Sequence, residues 1–164
     1  VKENEMKSPA LLDTDSAHLR QRAWRLYFEA NGRLHGLLES SLKKNFGLSV
    51  PDYNILLALS EAPGQCLKMG ELSGQVVYSP SRLTYLVTHL ERDGWVKKVM
   101  SKEDRRSYQA CLTSQGVRIV KEATRLHQET LREFLLADMT DEEISQIVRV
   151  FSALDERLRS RNKN

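Results

Sequence analysis

The stretch "SPSRLTYLVTHLERDGWVKKVMSKEDRRSYQACLTSQG", Ser79 to Gly116, decides the fold. It opens on a clear helix start. Ser79 is placed to cap, and Pro80 falls at the first helical position, where a missing N–H does no harm. Leu83, Val87 and Leu90, with Leu86 beside them, form one apolar face, while Ser81, Arg82, Tyr85 and His89 lie on the other. Gly94 ends this helix. "WVKKVM" and "SYQACLT" then alternate as strands, joined by a charged turn holding Lys102, Glu103, Asp104, Arg105 and Arg106. The prediction is a hairpin with a long basic tip, after which Thr113 caps another helix.

Upstream, Leu19, Ala23, Leu26, Tyr27, Ala30, Leu34, Leu37, Leu38 and Leu42 recur at three- and four-residue steps. They predict a helix from Asp15 to about Asn45, roughly 45 Å long at the α-helical rise. Gly47 stops it. Ser49 caps a second helix with Pro51 in its first turn, and "APG" at 62–64 breaks that one. "QCL" is a short strand candidate, and "KMGELSGQV" is a short helix with Leu72 and Val76 inward. Downstream, a helix is expected from Ser114 to Ala137. The capping box Thr140 to Glu143 then opens a final helix with Ile144, Ile147, Val148, Phe151, Leu154 and Leu158 on its apolar side.

The middle of this order is a helix-turn-helix followed by a β-hairpin, the winged form of the motif. The expected fold is mainly α with a small β-hairpin. A winged helix-turn-helix domain spans 49–113, helical segments at 15–48 and 114–164 flank it, and residues 1–14 form a flexible N-terminal tail. Three long amphipathic helices carry more apolar surface than so small a winged domain can cover. A second copy of the chain is the natural cover, with an intramolecular bundle as the alternative.

Charge is consistent with a polyanion partner and equally with a chance surface cluster. From Ser79 to Ser107 there are seven basic and four acidic residues, so this stretch carries the +3 of the whole chain. Ser79 and Ser81 are small enough to let a phosphate approach the helix N-terminus. Arg82 and His89 can donate to base edges or phosphates, and Tyr85 can lie on a sugar or a thymine methyl.

Other classes find little support in the 164 residues. There is no HExxH, P-loop or GxSxG, and His18, His35, His89 and His127 are scattered, so no enzyme, cofactor or metal is expected. Cys66 and Cys111 form no CxxC and have no histidine at ligand spacing. No apolar run approaches the length of a membrane span, and the N-terminal residues do not pattern as a secretory signal, which makes the expected location cytoplasmic.

The chain resembles the MarR family of bacterial transcription regulators. The resemblance rests on the Ser-rich helix start at 79–81, the leucine-spaced helix from Leu83 to Leu90, and Gly94 with Trp95 and Val96. It continues through Asp104-Arg105-Arg106 and the Leu112-Thr113 and Gly116 entry to the next helix, with "MGELS" before them. It implies a homodimer built by the terminal helices, bound to double-stranded DNA at an inverted repeat, most commonly as a repressor. By that resemblance Arg106 enters the minor groove, Asp104 orients the wing, and Lys102 and Arg105 meet phosphates.

The resemblance also implies release from DNA by a small aromatic or phenolic ligand. Trp24, Tyr27, His35 and Tyr53 could line its site, or serve as core and interface residues. Some relatives sense oxidants through a cysteine near the start of the first long helix, and this chain has none there. Cys66 and Cys111 fall on strands that pair in such a fold, facing away from Leu67 and Leu112. A redox-responsive disulfide and two inert thiols both remain open. A winged helix used for protein contacts is the other alternative.

Overall fold

The computed structural model of the chain describes residues 9–100 and 108–161. Six helices and one three-stranded sheet follow in the order α1 (Pro9–Phe46), α2 (Val50–Glu61), β1 (Cys66–Lys68), α3 (Met69–Gln75), α4 (Pro80–Arg92), β2 (Val96–Met100), β3 (Tyr108–Leu112), α5 (Ser114–Leu131) and α6 (Asp141–Arg161). The order is the one expected, with two differences at helix ends. α1 begins at Pro9, not Asp15, so 9–14 extend the helix instead of belonging to a tail. Proline is favoured at a first helical position, and Ala10, Leu11 and Leu12 behind it are strong helix formers. α5 stays regular only to Leu131. Residues Arg132–Leu136 form a wider π turn, closed by the Ala137 N–H donating to the Arg132 carbonyl at 2.8 Å.

Local chemistry explains the elements. Gly47 and Gly94 take left-handed φ of 71° and 78° at the ends of α1 and α4. At Gly94 the cap is a Schellman pair: Gly94 N–H donates to Glu91 O and Trp95 N–H to Leu90 O, both at 3.0 Å. Ser49 and Asp52 form a reciprocal capping box at the start of α2. Glu39 of α1 accepts from the Val50 N–H at 2.7 Å, which fixes how α2 leaves α1. Thr140 and Glu143 cap α6 as predicted.

The sheet is antiparallel with β3 in the middle, in the order β1-β3-β2. Cys66 pairs with Cys111, Leu67 with Ala110 and Lys68 with Gln109; on the other side Val96 pairs with Leu112 and Met100 with Tyr108. The core gathers on α2, whose Tyr53, Ile55, Leu56 and Leu59 are all buried. Leu42 and Leu48, Leu72 from α3, Leu83, Val87 and Leu90 from α4, Val96, Ala110, Leu112, and Val120 and Ala123 from α5 close around it. Leu83, Leu86, Val87 and Leu90 thus occupy the inward face that their spacing predicted.

Gly116 is a packing requirement. A Cβ there would overlap the carbonyl oxygen of Trp95 and press on Leu112. Beside it the Thr113 hydroxyl donates to Gly94 O at 2.7 Å and accepts from the Gly116 N–H at 3.0 Å. This single joint ties the end of α4, the root of β2 and the start of α5 together.

Candidate nucleic-acid interface

α4 is held by its apolar face and leaves its N-terminus uncovered: Ser79, Pro80, Ser81 and Arg82 are all exposed. The Ser79 hydroxyl accepts from the Arg82 N–H at 3.4 Å and lies 3.3 Å from the Ser81 hydroxyl. The Arg82 guanidinium stacks over the Tyr78 ring, 5.3 Å from its centre. The Tyr78 hydroxyl accepts from Asn54 Nδ2 at 3.0 Å, so the turn between α3 and α4 is pinned to α2. An uncovered helix N-terminus flanked by hydroxyls and a stacked guanidinium has the electrostatics that favour an anion.

At 100° per residue, the direction opposite Leu83, Leu86, Val87 and Leu90 runs through Ser81, Tyr85, Thr88 and Arg92. All four are exposed, Tyr85 by 70%. Sequence reading found Ser81 and Tyr85 but passed over Thr88 and Arg92. The signal was present in the helical period measured from the buried face. Arg82 and His89 lie on one flank of this stripe. His89 Nδ1 is 3.3 Å from Asp93 Oδ2, and Arg92 Nε is 3.5 Å from Asp93 Oδ1, so Asp93 gathers both groups at the end of the helix.

The wing strand is braced on the same helix. Glu91 accepts from the Lys98 N–H at 3.1 Å and pairs with the Lys98 ammonium at 3.1 Å, which also donates to the Thr88 hydroxyl at 2.8 Å. The Lys98 backbone N–H holds the Glu91 carboxyl below its ordinary pKa; burial opposes this and the Lys98 ammonium assists it. The brace sets the distance between α4 and β2. Lys102, Asp104, Arg105 and Arg106 lie outside the described residues.

Of the residues considered for a ligand, Trp24 and Tyr27 meet, with ring centres 5.9 Å apart, but the four do not form one site. Tyr53 is 2% exposed inside the winged core, stacked 4.9 Å from His127 and donating to the Thr124 hydroxyl at 3.3 Å. Burial, chiefly, raises the Tyr53 pKa and lowers that of His127. Trp24, Tyr27 and His35 are exposed on α1. Of the four, Tyr27 alone lines the 760 Å³ groove between α1, the π turn and α6, with Leu34, Phe134 and Phe151. Its ring is 5.5 Å from that of Phe151.

Cys66 and Cys111 are joined by a disulfide, with Cα atoms 4.1 Å apart in register. Cys111 does not point to an open face, as its alternation with Leu112 suggested. It is 4% exposed, and Ala110 and Leu112 are buried too, because β3 is the central strand and is covered on both sides. Among the described residues no group of three or more His, Cys, Asp or Glu is placed to hold a metal ion, and no helix is long and apolar enough to cross a membrane.

Comparison with known proteins places this architecture. The sequence profile of the MarR family matches residues 46–107, which contain α2 to β2 and the segment after it. The HTH-type transcriptional regulator PrsX of Escherichia coli is 30% identical over 108 residues, 66% of this chain and 64% of that protein. The match thus spans just under two thirds of that relative's length. Two solved structures from Streptomyces coelicolor superpose over far more. AbsC, a MarR family transcriptional regulator, is 31% identical with a TM-score of 0.81, covering 85% of this chain and 94% of that one. Sco3205, a MarR family transcriptional regulator solved in complex with DNA, is 29% identical with a TM-score of 0.81, covering 84% and 87%. With the winged helix-turn-helix, its long flanking helices and a 31% identical relative matched nearly end to end, the chain belongs to the MarR family of transcriptional regulators.

Proposed function

We propose that the chain is a sequence-specific repressor that binds an inverted-repeat operator in double-stranded DNA as a homodimer. The observation that carries this reading is the outer face of α4. Ser81, Tyr85, Thr88 and Arg92 stand exposed opposite a fully buried face, and the helix N-terminus is open. Such a helix presents its first turns to base edges and its N–H groups to a phosphate. The DNA-bound relative supports the assignment. Two copies related by a two-fold axis place their α4 helices about one DNA turn apart, which requires a palindromic target. Arg106 inserts into the flanking minor groove, with Lys102 and Arg105 on phosphates and Asp104 orienting the tip.

The second copy is called for by the exposed apolar residues of the terminal helices, among them Trp24, Phe28, Phe134, Val148 and Leu158. A small aromatic effector enters the groove lined by Tyr27, Phe134 and Phe151 and releases the dimer from DNA; its apolar walls support that class.

The test is selection of duplexes from a random pool, followed by titration of wild type, Arg82→Ala and Arg106→Ala. The expected outcome is an inverted repeat, with each variant weakened by about 10-fold, the order of one lost DNA contact, and unchanged in melting temperature. Wild-type affinity in both variants, or binding without a steep salt dependence, would overturn the reading in favour of a protein-contact module.

A further inference from the structure

The disulfide is placed where it can report to the candidate interface. Cys66 opens β1, a three-residue edge strand whose last residue, Lys68, is the N-terminal cap position of α3. Cys111 lies in β3, the return strand of the wing. The two are 45 residues apart, and the loop they close contains all of α3, α4 and β2 and the wing tip. One covalent bond therefore encloses every element assigned above to DNA. It also joins the root of the helix-turn-helix to the wing. Cys66 is partly exposed, whereas Cys111 is 4% exposed.

We propose that Cys66 and Cys111 are a redox-active dithiol–disulfide pair that tunes DNA affinity by latching the wing to the strand before α3, a regulation that rests on the DNA-binding reading. The oxidant is a hydroperoxide. The more accessible Cys66 thiolate attacks the O–O bond, forming a sulfenic acid and releasing an alcohol, or water if the peroxide is hydrogen peroxide. The Cys111 thiolate then attacks the Cys66 sulfur and the sulfenic oxygen leaves as water. Two thiols lose two electrons and two protons, and the hydroperoxide accepts both. A dithiol reverses the step, leaving as its own cyclic disulfide and returning two protons to the cysteines.

Oxidation adds a covalent tie to a strand that otherwise holds β3 through only three register pairs. The latched wing starts closer to one geometry, so less ordering is lost on binding. Reduction frees the β1 edge to fray and weakens binding, while the buried face of α4 stays packed.

The experiment uses the full chain, oxidised with hydrogen peroxide or reduced with dithiothreitol, and titrated onto duplexes selected as above. Peroxide treatment should yield a mass two hydrogens lighter with no alkylatable thiol. The oxidised form should bind about 5-fold or more tightly than the reduced one, the lower range of coupling between two sites. The Cys66→Ser/Cys111→Ser variant should bind like the reduced form and ignore peroxide. Equal affinities for the two wild-type forms, or thiols that stay free in peroxide, would overturn the proposal. This comparison stands even if the double variant does not fold. Absence of duplex binding in both forms would instead remove the DNA-binding reading on which it rests.

Discussion

The winged core and the terminal helices treat the same kind of residue in opposite ways. Leu48, Ile55, Leu56, Leu59, Leu72, Val87 and Leu90 have no exposed surface. Trp24, Phe28, Phe134, Val148 and Leu158, just as apolar, are each more than half exposed, and α6 buries no residue at all. A chain that packs one region this fully does not leave the other bare for want of hydrophobic residues. The winged domain closes its core because four helices, α1, α3, α4 and α5, and the sheet converge on α2. The flanking helices bury only a few hydrophobic residues, Leu38, Leu42, Val120 and Ala123, against that core and leave much of their remaining apolar surface exposed. The contrast separates the surface that stabilises the domain from the surface proposed above for a second copy.

The contrast breaks most severely at Gly116. Gly116→Ala forces a methyl group against the Trp95 carbonyl, at a joint shared by α4, β2 and α5. The expected loss is about 3 kcal/mol, the upper range for overpacking, seen as a lower urea midpoint. A wild-type midpoint would mean the joint is looser than described. The next effect falls on the other region. Phe134→Asp should raise the dimer dissociation constant about 30-fold, near 2 kcal/mol, by sedimentation, and leave near-ultraviolet dichroism of the winged core unchanged. If self-association is unaltered, the exposed face is not the dimer surface.

The smallest effect is a pH dependence confined to the core. Burial holds His127 below its ordinary pKa beside Tyr53, so the folded chain binds fewer protons at this site than the unfolded one. This contribution is fully present above about pH 6.5, the unfolded histidine value, and is lost as pH falls through the lower folded value. Urea midpoints should therefore drop on moving from about pH 7.5 to about pH 5.5, and His127→Gln should flatten that slope. An unchanged slope in the variant would assign the dependence to other groups.

Much of the fold was legible because its signals are local. The Ser79-Pro80 start, the Gly47 and Gly94 stops, the Ser49 cap and the capping box at Thr140 each act within a few residues, and each is found where it was expected. The candidate interface was half legible. Ser81, Arg82 and Tyr85 were read from the face away from the leucines, whereas Thr88 and Arg92 lie in the same outward direction and follow only when the full helical period is taken from that leucine set. The bracing of Lys98 by Glu91 and Thr88 carries no sequence signal, because it depends on how β2 folds back over α4.

The sequence by itself determined the order of elements, the two faces of α4 and the excess of apolar surface on the flanking helices, since caps and periodicity are set by near neighbours. Only the tertiary structure decided that Tyr53 belongs to the core and not to a groove, that Gly116 must lack a side chain, and that Cys66 and Cys111 meet in register. Each of these depends on groups far apart in the chain brought together by sheet pairing and helix packing, and such distances leave no mark in a local pattern.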